Sequence, residues 1–159
     1  MDPAVFADLD SRFGPFDIDA CADVGGQNAH CPQYWSEVDD CLQQKWAGKR
    51  VYCNPPFACI RPILRHFLQE WATDPYNTSA TFVLPAWNTY PWWKLARHFT
   101  TVKTFPKGTS LFTSPDWRIL QQDAGSTRRC NRGPTRWPVV IWHKAAQQKR
   151  QAPTSAHER

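Results

Sequence analysis

The chain has 159 residues, 42% of them hydrophobic, which is enough for one domain with a core of ordinary size. No stretch approaches the about 18 unbroken apolar residues of a membrane span, and the start, MDPAVFADLD, lacks the basic and then apolar pattern of a signal peptide. Composition therefore argues against a membrane protein, and we expect a soluble, intracellular domain.

The net charge of +5 is divided unevenly along the chain. Residues 1–50 carry four basic and nine acidic side chains, whereas residues 51–159 carry fifteen basic and five acidic ones. The basic part is the candidate for contact with a polyanion such as DNA. A generally basic surface without a partner remains an equal alternative on charge alone.

The six cysteines do not form a recognisable metal-binding pattern. There is no CxxC pair, and only Cys31, which follows His30, resembles half of a ligand set. We predict mostly buried reduced thiols and no metal site. The cysteines are Cys21, Cys31, Cys41, Cys53, Cys59 and Cys130.

The first half of the chain predicts a helix, two strands and a second helix. Asp2 can cap a helix over residues 3–13 that ends before Gly14, and residues 16–22 alternate apolar and acidic residues as a strand would. Residues 23–50 give no clear pattern. A short strand follows at Val51–Cys53 and ends at two prolines, after which apolar residues from Ile63 to Trp71 recur at helical spacing.

The second half predicts another strand and helix, and then strands that are joined without a helix. Residues 79–87 predict a strand, and Trp92, Leu95 and Phe99 mark a short helix. Strand pieces at 101–106 and 110–114 and a last strand at 137–142 follow. Alternation of strands and helices predicts a single-domain α/β fold with a mostly parallel sheet and an antiparallel edge hairpin. We assign the domain to residues 1–143 and a basic, disordered tail to residues 144–159.

The turn after the Val51–Cys53 strand, Asn54-Pro55-Pro56-Phe57, has the composition of a binding site. In α/β sheets, ligands bind beyond the carboxyl ends of the strands. The Asn54 amide oxygen can accept a hydrogen bond from an amino group, and the prolines hold rigid carbonyls with no competing N–H. Phe57 offers a flat face to a planar ring. This combination fits an aromatic ring with an exocyclic amine, of which adenine fits best; a rigid turn with a buried Phe57 is the structural alternative.

These residues and their surroundings resemble the phage-type, Dam-like DNA N6-adenine methyltransferases, which some retroelements also carry. The resemblance covers about residues 2–143 and rests on the order and spacing of several motifs. They are Phe13-Gly14, Asp17 to Ala22 (DIDACA), Asn28 to Tyr34 (NAHCPQY), Asp39 to Leu42 (DDCL), Trp46, Tyr52 to Phe57 (YCNPPF), FVLPAW (82–87), FPKGTSLF (105–112) and PVVIW (138–142).

The resemblance implies a Rossmann-like, S-adenosylmethionine-dependent enzyme that methylates N6 of a flipped-out adenine in DNA. Asn54, Pro55, Pro56 and Phe57 match the catalytic motif. Asp19, Ala20 and Cys21 match the segment that binds the methyl donor. Asp39 and Asp40 match a second acidic element near the donor, although a solvated turn or helix cap explains them equally well. The enzyme would work in a prokaryotic cytoplasm, or in the nucleus or cytoplasm if a eukaryotic mobile element encodes it.

Basic side chains near the last strand are candidates for contact with DNA. They are Lys107, Arg128, Arg129, Arg132 and Arg136. Two other functions remain open: a silent nucleic-acid-binding module with this fold, and an amino-methyltransferase for cytosine N4, RNA or protein glutamine.

Overall fold

The computed structural model describes residues 1–112 and 135–149. Its regular elements are α1 (Pro3–Phe13), β1 (Ile18–Asp19), β2 (Arg50–Cys53), a short 3-10 helix (Phe57–Cys59), α2 (Ile60–Thr73), β3 (Ser79–Pro85), a second 3-10 helix (Pro91–His98), β4 (Thr100–Phe105) and β5 (Val139–Lys144). None of the described helices is long and apolar enough to cross a membrane.

The strands form one five-stranded mixed sheet in the order β1-β2-β3-β5-β4. The strands β1, β2 and β3 are mutually parallel, while β5 is antiparallel to both β3 and β4. The predicted α/β class and the antiparallel edge are confirmed. Since half of the strand pairings are antiparallel, the parallel part is one end of the sheet and not most of it.

Two apolar layers cover the two faces of the sheet. Alternate residues of a strand point to opposite faces, so Val51 and Cys53 belong to one cluster and Tyr52 to the other. Helix α2 packs on the first face through four buried residues, Ile60, Ile63, Leu64 and Phe67. Helix α1 packs on the second face, where Leu9 is buried. The result is a helix, sheet, helix arrangement that leaves the strand ends free.

Helix α1 has the predicted bounds. Its first turn also explains why the strand predicted from residue 110 is not formed. The Asp2 carboxylate accepts hydrogen bonds from the backbone N–H groups of Ala4 and Val5, as a helix cap does. The Asp2 N–H donates to the Leu111 carbonyl at 2.6 Å. Residues 110–112, predicted as part of a strand, are irregular because Leu111 is buried under α1 and is not paired in the sheet; residues 113 and 114 lie outside the described part.

The strand predicted over residues 16–22 is only two residues long, because the chain changes partners after Ile18. The Asp19 N–H donates to the Gln33 carbonyl, and its own carbonyl accepts from Trp35. Ala22 also donates to the Trp35 carbonyl. These bonds draw residues 33–35 to the outer edge of β1. The loop that the sequence left unassigned is thereby placed beside the end of β1.

Residues 144–149, which the sequence analysis assigned to a tail, continue from β5 along the domain. Lys144 is the last residue of β5, and Ala145 accepts a hydrogen bond from the Trp71 indole at 3.1 Å. The Gln147 N–H donates to the Pro75 carbonyl at 2.7 Å. Residues up to at least Gln147 therefore pack against the domain, and residues 150–159 lie outside the described part.

Candidate active site

The carboxyl ends of all three parallel strands lie together along one edge of the sheet, and the predicted site residues follow them there. Asp19–Cys21 lie at the end of β1, and Asn54–Phe57 directly follow β2. The antiparallel β5 begins at this edge, where Val139 pairs with both Pro85 and Phe105. The edge therefore also gathers the segments after β3 and β4 and before β5.

A pocket of about 460 Å³ lies between the ends of β1 and β2 and the segment from Ser36 to Leu42. Its volume is in the range of small-molecule sites. Four of its lining residues are predicted site residues, namely Ala20, Cys21, Asp40 and Pro56. Asp23 and Glu37, which the sequence reading did not single out, also line it. Because most of the wall is apolar and three carboxylates stand around it, the pocket suits a ligand that is partly apolar and partly cationic or rich in hydroxyl groups.

The Asp19 carboxylate is buried and ties down the loop beside this pocket. It is 2% exposed, and it accepts hydrogen bonds from the backbone N–H groups of His30 at 3.0 Å and Cys21 at 3.2 Å. Burial raises the pKa of Asp19 above its ordinary value, although these two bonds oppose the shift. In this structure Asp19 shapes the backbone of Ala20 and Cys21, which themselves face the pocket.

The two neighbouring acids Asp39 and Asp40 have different roles. The Asp39 carboxylate accepts bonds from the Ser36 N–H at 2.8 Å and the Ser36 hydroxyl at 3.0 Å, and these bonds lower its pKa. This is the turn-capping alternative that the sequence left open. Asp40, at a positive φ of 50°, lines the pocket, and its carboxylate accepts from the Leu42 N–H. Only Asp40 is placed to meet a ligand there.

The Asn54-Pro55-Pro56-Phe57 turn presents free acceptors. Among the described residues, nothing hydrogen-bonds to the Asn54 side chain or to the Pro55 carbonyl. The Pro56 carbonyl accepts from the Cys59 N–H at 2.9 Å, which starts the 3-10 helix leading into α2. Pro56 lines the pocket, so the turn that carries the free acceptors borders it.

Phe57 is 45% exposed and belongs to a cluster of rings that the sequence reading missed. Its ring meets Trp87 with centroids 4.9 Å apart and Trp137 at 5.1 Å, in both cases edge to face. Tyr90 stacks on Trp87 at 4.9 Å. The available signal was position, because Trp87 follows the end of β3 and Trp137 precedes β5, both at the edge that carries Asn54.

Two of the five predicted DNA-binding residues lie within the described part. Lys107 and Arg136 are exposed, in the loop after β4 and in the segment before β5. These two segments are joined, since Gly108 donates to the Thr135 carbonyl at 2.8 Å. Both cations therefore lie at the edge that carries Asn54. Arg128, Arg129 and Arg132 lie outside the described residues.

The described cysteines are free thiols, in agreement with the sequence reading. Cys21 and Cys53 stand 3.7 Å apart at their sulfur atoms, and burial raises the pKa of Cys31 to about 12. Cys130 lies outside the described residues. In residues 1–112 and 135–149 no three metal-ligating side chains come together.

Comparison with known proteins gives two matches. A family model described as DNA N-6-adenine-methyltransferase (Dam) matches residues 2–151. A DNA N-6-adenine-methyltransferase of Escherichia phage T1 is 30% identical over 94 residues. Those residues are 58% of this chain and 37% of the phage protein, so the similarity spans little more than a third of that relative's length.

Proposed function

Because this chain belongs to the family of DNA N-6-adenine-methyltransferases, we propose that it transfers a methyl group from S-adenosylmethionine to N6 of an adenine in DNA. The observation that carries the proposal is the pair of free acceptors on Asn54 and Pro55, which lie in the same turn as the exposed ring of Phe57 and as Pro56, a residue that lines a ligand-sized pocket. The expected Rossmann-like methyltransferase fold is part of this proposal, and the helices on both faces of the sheet support it.

The pocket between β1 and β2 fits S-adenosylmethionine in size and chemistry. Its apolar wall suits an adenine ring, and carboxylates such as Glu37 and Asp40 can accept hydrogen bonds from ribose hydroxyls or face a cationic group. Backbone groups of Ala20 and Cys21, held by Asp19, would meet the amino-acid part of the donor. When bound, S-adenosylmethionine supplies a methyl group on a sulfonium, which is already a good leaving group.

The acceptors orient the target amine. An adenine amino group has two N–H bonds, and the Asn54 side-chain oxygen and the Pro55 carbonyl can accept one each. Accepting both hydrogen bonds polarises the N–H bonds and increases the electron density on nitrogen, so that its lone pair, out of the plane of the ring, can attack the methyl group of a donor bound in the pocket. Positioning of this kind supplies much of a rate enhancement. No strong general base is needed before the transfer: the N–CH3 bond would form as the S–CH3 bond breaks, S-adenosylhomocysteine would leave as a neutral thioether, and the cationic nitrogen would then lose one proton to solvent.

The target adenine must leave the duplex stack, because N6 is otherwise inaccessible for in-line attack. Unstacking costs a few kcal/mol, and stacking on Phe57 offsets about 1–3 kcal/mol of it. The two tryptophans that meet Phe57 edge-on hold its ring in a fixed orientation. Lys107 and Arg136 would neutralise phosphates beside the flipped base, and Arg128, Arg129 and Arg132 would extend this contact.

The decisive experiment incubates the purified chain with tritium-labelled S-adenosylmethionine and unmethylated DNA, supplied both as duplex and as single strands, and identifies the labelled nucleoside. We expect label in N6-methyladenine, lost in Asn54→Ala and retained in Asn77→Ala, a control asparagine in the turn before β3 at the opposite edge of the sheet. Label in N4-methylcytosine, RNA or protein glutamine would assign one of the alternative substrates. DNA binding without any transfer would favour the silent binding module.

A further inference from the structure

Tyr90 is the outermost ring of the aromatic cluster, and its position is fixed by the backbone. Its N–H donates to the Trp87 carbonyl at 3.1 Å, and Pro91 follows it at the start of the 3-10 helix. The Tyr90 and Trp87 rings stack with centroids 4.9 Å apart and planes at 29°. Trp87 is the only described ring that pairs with Tyr90, so one face of Tyr90 is covered while the residue remains 49% exposed.

This exposed ring lies close to the proposed target platform. Trp87 contacts Tyr90 and Phe57 at 4.9 Å each, so the two outer rings are at most 9.8 Å apart. Stacked nucleotides rise about 3.4 Å along a strand, so the distance corresponds to one to three nucleotides. A base close to the target on the same strand can reach Tyr90 while the target lies on Phe57.

The charge around Tyr90 favours a nucleic acid strand over an acidic or mixed-charge protein surface. Residues 75–115 contain no Asp or Glu. The cations in that interval include Lys94, four residues from Tyr90, and Lys107, and Arg136 precedes Trp137 in the same cluster. Tyr90 is thus an exposed aromatic residue in a segment with cations and without carboxylates, the composition by which proteins bind single-stranded nucleic acid.

We propose that Tyr90, backed by Trp87, stacks an unpaired base near the target adenine, so that the substrate is single-stranded DNA or DNA locally unpaired over more than one nucleotide. The inference rests on the proposed function for the identity of the strand. It assigns to this edge of the sheet two stacking positions, Phe57 for the target and Tyr90 for a second base, since a base within an intact duplex has no free face to offer Tyr90.

The test compares the affinity of the full chain for single-stranded (dT)20 and for a 20-mer of the same backbone in which every position is abasic. Fluorescence anisotropy gives Kd for the wild type, Tyr90→Leu, Tyr90→Phe and Tyr76→Leu. Tyr76 is the matched control because it is 46% exposed and lies before β3 at the opposite edge of the sheet. The measurement needs no methyl transfer.

We expect the wild type to bind (dT)20 more tightly than the abasic strand. In Tyr90→Leu, the ratio of the two Kd values should fall by about 5- to 150-fold, the range for loss of one stacked base. Tyr90→Phe and Tyr76→Leu should keep that preference. An unchanged preference in Tyr90→Leu, or no preference in the wild type, overturns the proposal. Failure of N6-methylation with intact Tyr90-dependent stacking would instead overturn the proposed function, so the two failures are distinguishable.

Discussion

The Trp87 ring meets the Phe57 ring edge to face, with centroids 4.9 Å apart and planes at 63°. Trp137 meets the same ring at 5.1 Å and 79°. Phe57 follows two prolines whose φ angles are fixed, and its ring is held by its contacts with Trp87 and Trp137. A base that stacks on Phe57 therefore meets a surface that is already in place, which lowers the entropy lost on binding.

Replacement of Trp137 by Leu should impair catalysis through Phe57. Loss of an aromatic pair removes about 0.5–1.5 kcal/mol beyond buried area, and we expect kcat/KM for DNA to fall by roughly 2- to 10-fold. Part of the decrease should be in kcat. A Phe57 ring that is held less firmly positions the target amine less accurately and also binds the base less tightly. Steady-state kinetics with labelled donor measure the split. Unchanged kcat in Trp137→Leu, at a temperature where circular dichroism shows a folded protein, would contradict this role.

Substitution of Asp40 should weaken donor binding more than substitution of Asp39, although the two residues are adjacent. Asp40 lines the pocket, whereas Asp39 binds Ser36. We expect Asp40→Asn to raise Kd for S-adenosylmethionine by about 3- to 10-fold, the effect of one weakened charge or hydrogen bond. Asp39→Asn should change Kd less.

Titration calorimetry with both S-adenosylmethionine and the uncharged S-adenosylhomocysteine identifies the cause. If the carboxylate attracts the sulfonium, Asp40→Asn reduces the preference for the charged ligand. If it binds the ribose, both ligands weaken equally. Asp8→Asn, an exposed acid of α1 paired with Arg12, is the control. Equal donor affinity in Asp40→Asn and the wild type would remove Asp40 from the site.

The parts of the structure that the sequence predicted depend on local signals. Asp2 and Pro3 specify the start of α1 by capping geometry, and Pro55 and Pro56 end β2 because they cannot continue a ladder. The acceptor turn could thus be placed at a strand end without a structure. The likeness of its motifs to a known family supplied the chemistry.

The parts that were missed depend on distant partners. Trp87 and Trp137 are 50 positions apart in sequence, and only the antiparallel pairing of β3 with β5 brings them to Phe57. Asp39 and Asp40 have the same chemistry, and only the backbone, with its positive φ at Asp40, decides which one faces the pocket. No local pattern distinguishes such pairs.

Lys107 and Arg136 should each contribute to the salt dependence of DNA binding. The logarithm of the binding constant falls with the logarithm of salt concentration by about 0.9 per phosphate neutralised on duplex DNA and about 0.7 on single strands. Lys107→Ala and Arg136→Ala should each lower this slope by about that amount.

Anisotropy titrations from low to moderate salt measure the slope for each variant. Lys49→Ala is the control, because Lys49 precedes β2 and lies at the opposite edge of the sheet. An equal reduction in Lys49→Ala would mean that the chain binds DNA by its overall charge and not at this edge.

His143 should make the stability of the domain fall in mild acid. Its ring stacks on Phe13 with centroids 4.1 Å apart, and its Nδ1 lies 2.9 Å from the Thr81 hydroxyl. The pKa of His143 is lowered from 6.5 to about 4, mainly by burial; a backbone hydrogen bond with Ala80 opposes the shift, and the charge of Arg12 contributes to it. The unfolded chain therefore takes up a proton at a pH where the folded chain does not.

It follows that the contribution of neutral His143 is fully present above about pH 6.5 and is lost as the pH falls toward 4. The loss is at most roughly 3 kcal/mol, since one pKa unit corresponds to about 1.4 kcal/mol. Urea unfolding at pH 7.5 and pH 4.5 measures it, and the difference between the two values should shrink in His143→Gln. The exposed His98→Gln should retain the wild-type difference. A wild-type pH dependence in His143→Gln would show that other groups cause the acid sensitivity, such as Asp39, whose pKa is lowered by its hydrogen bonds with Ser36.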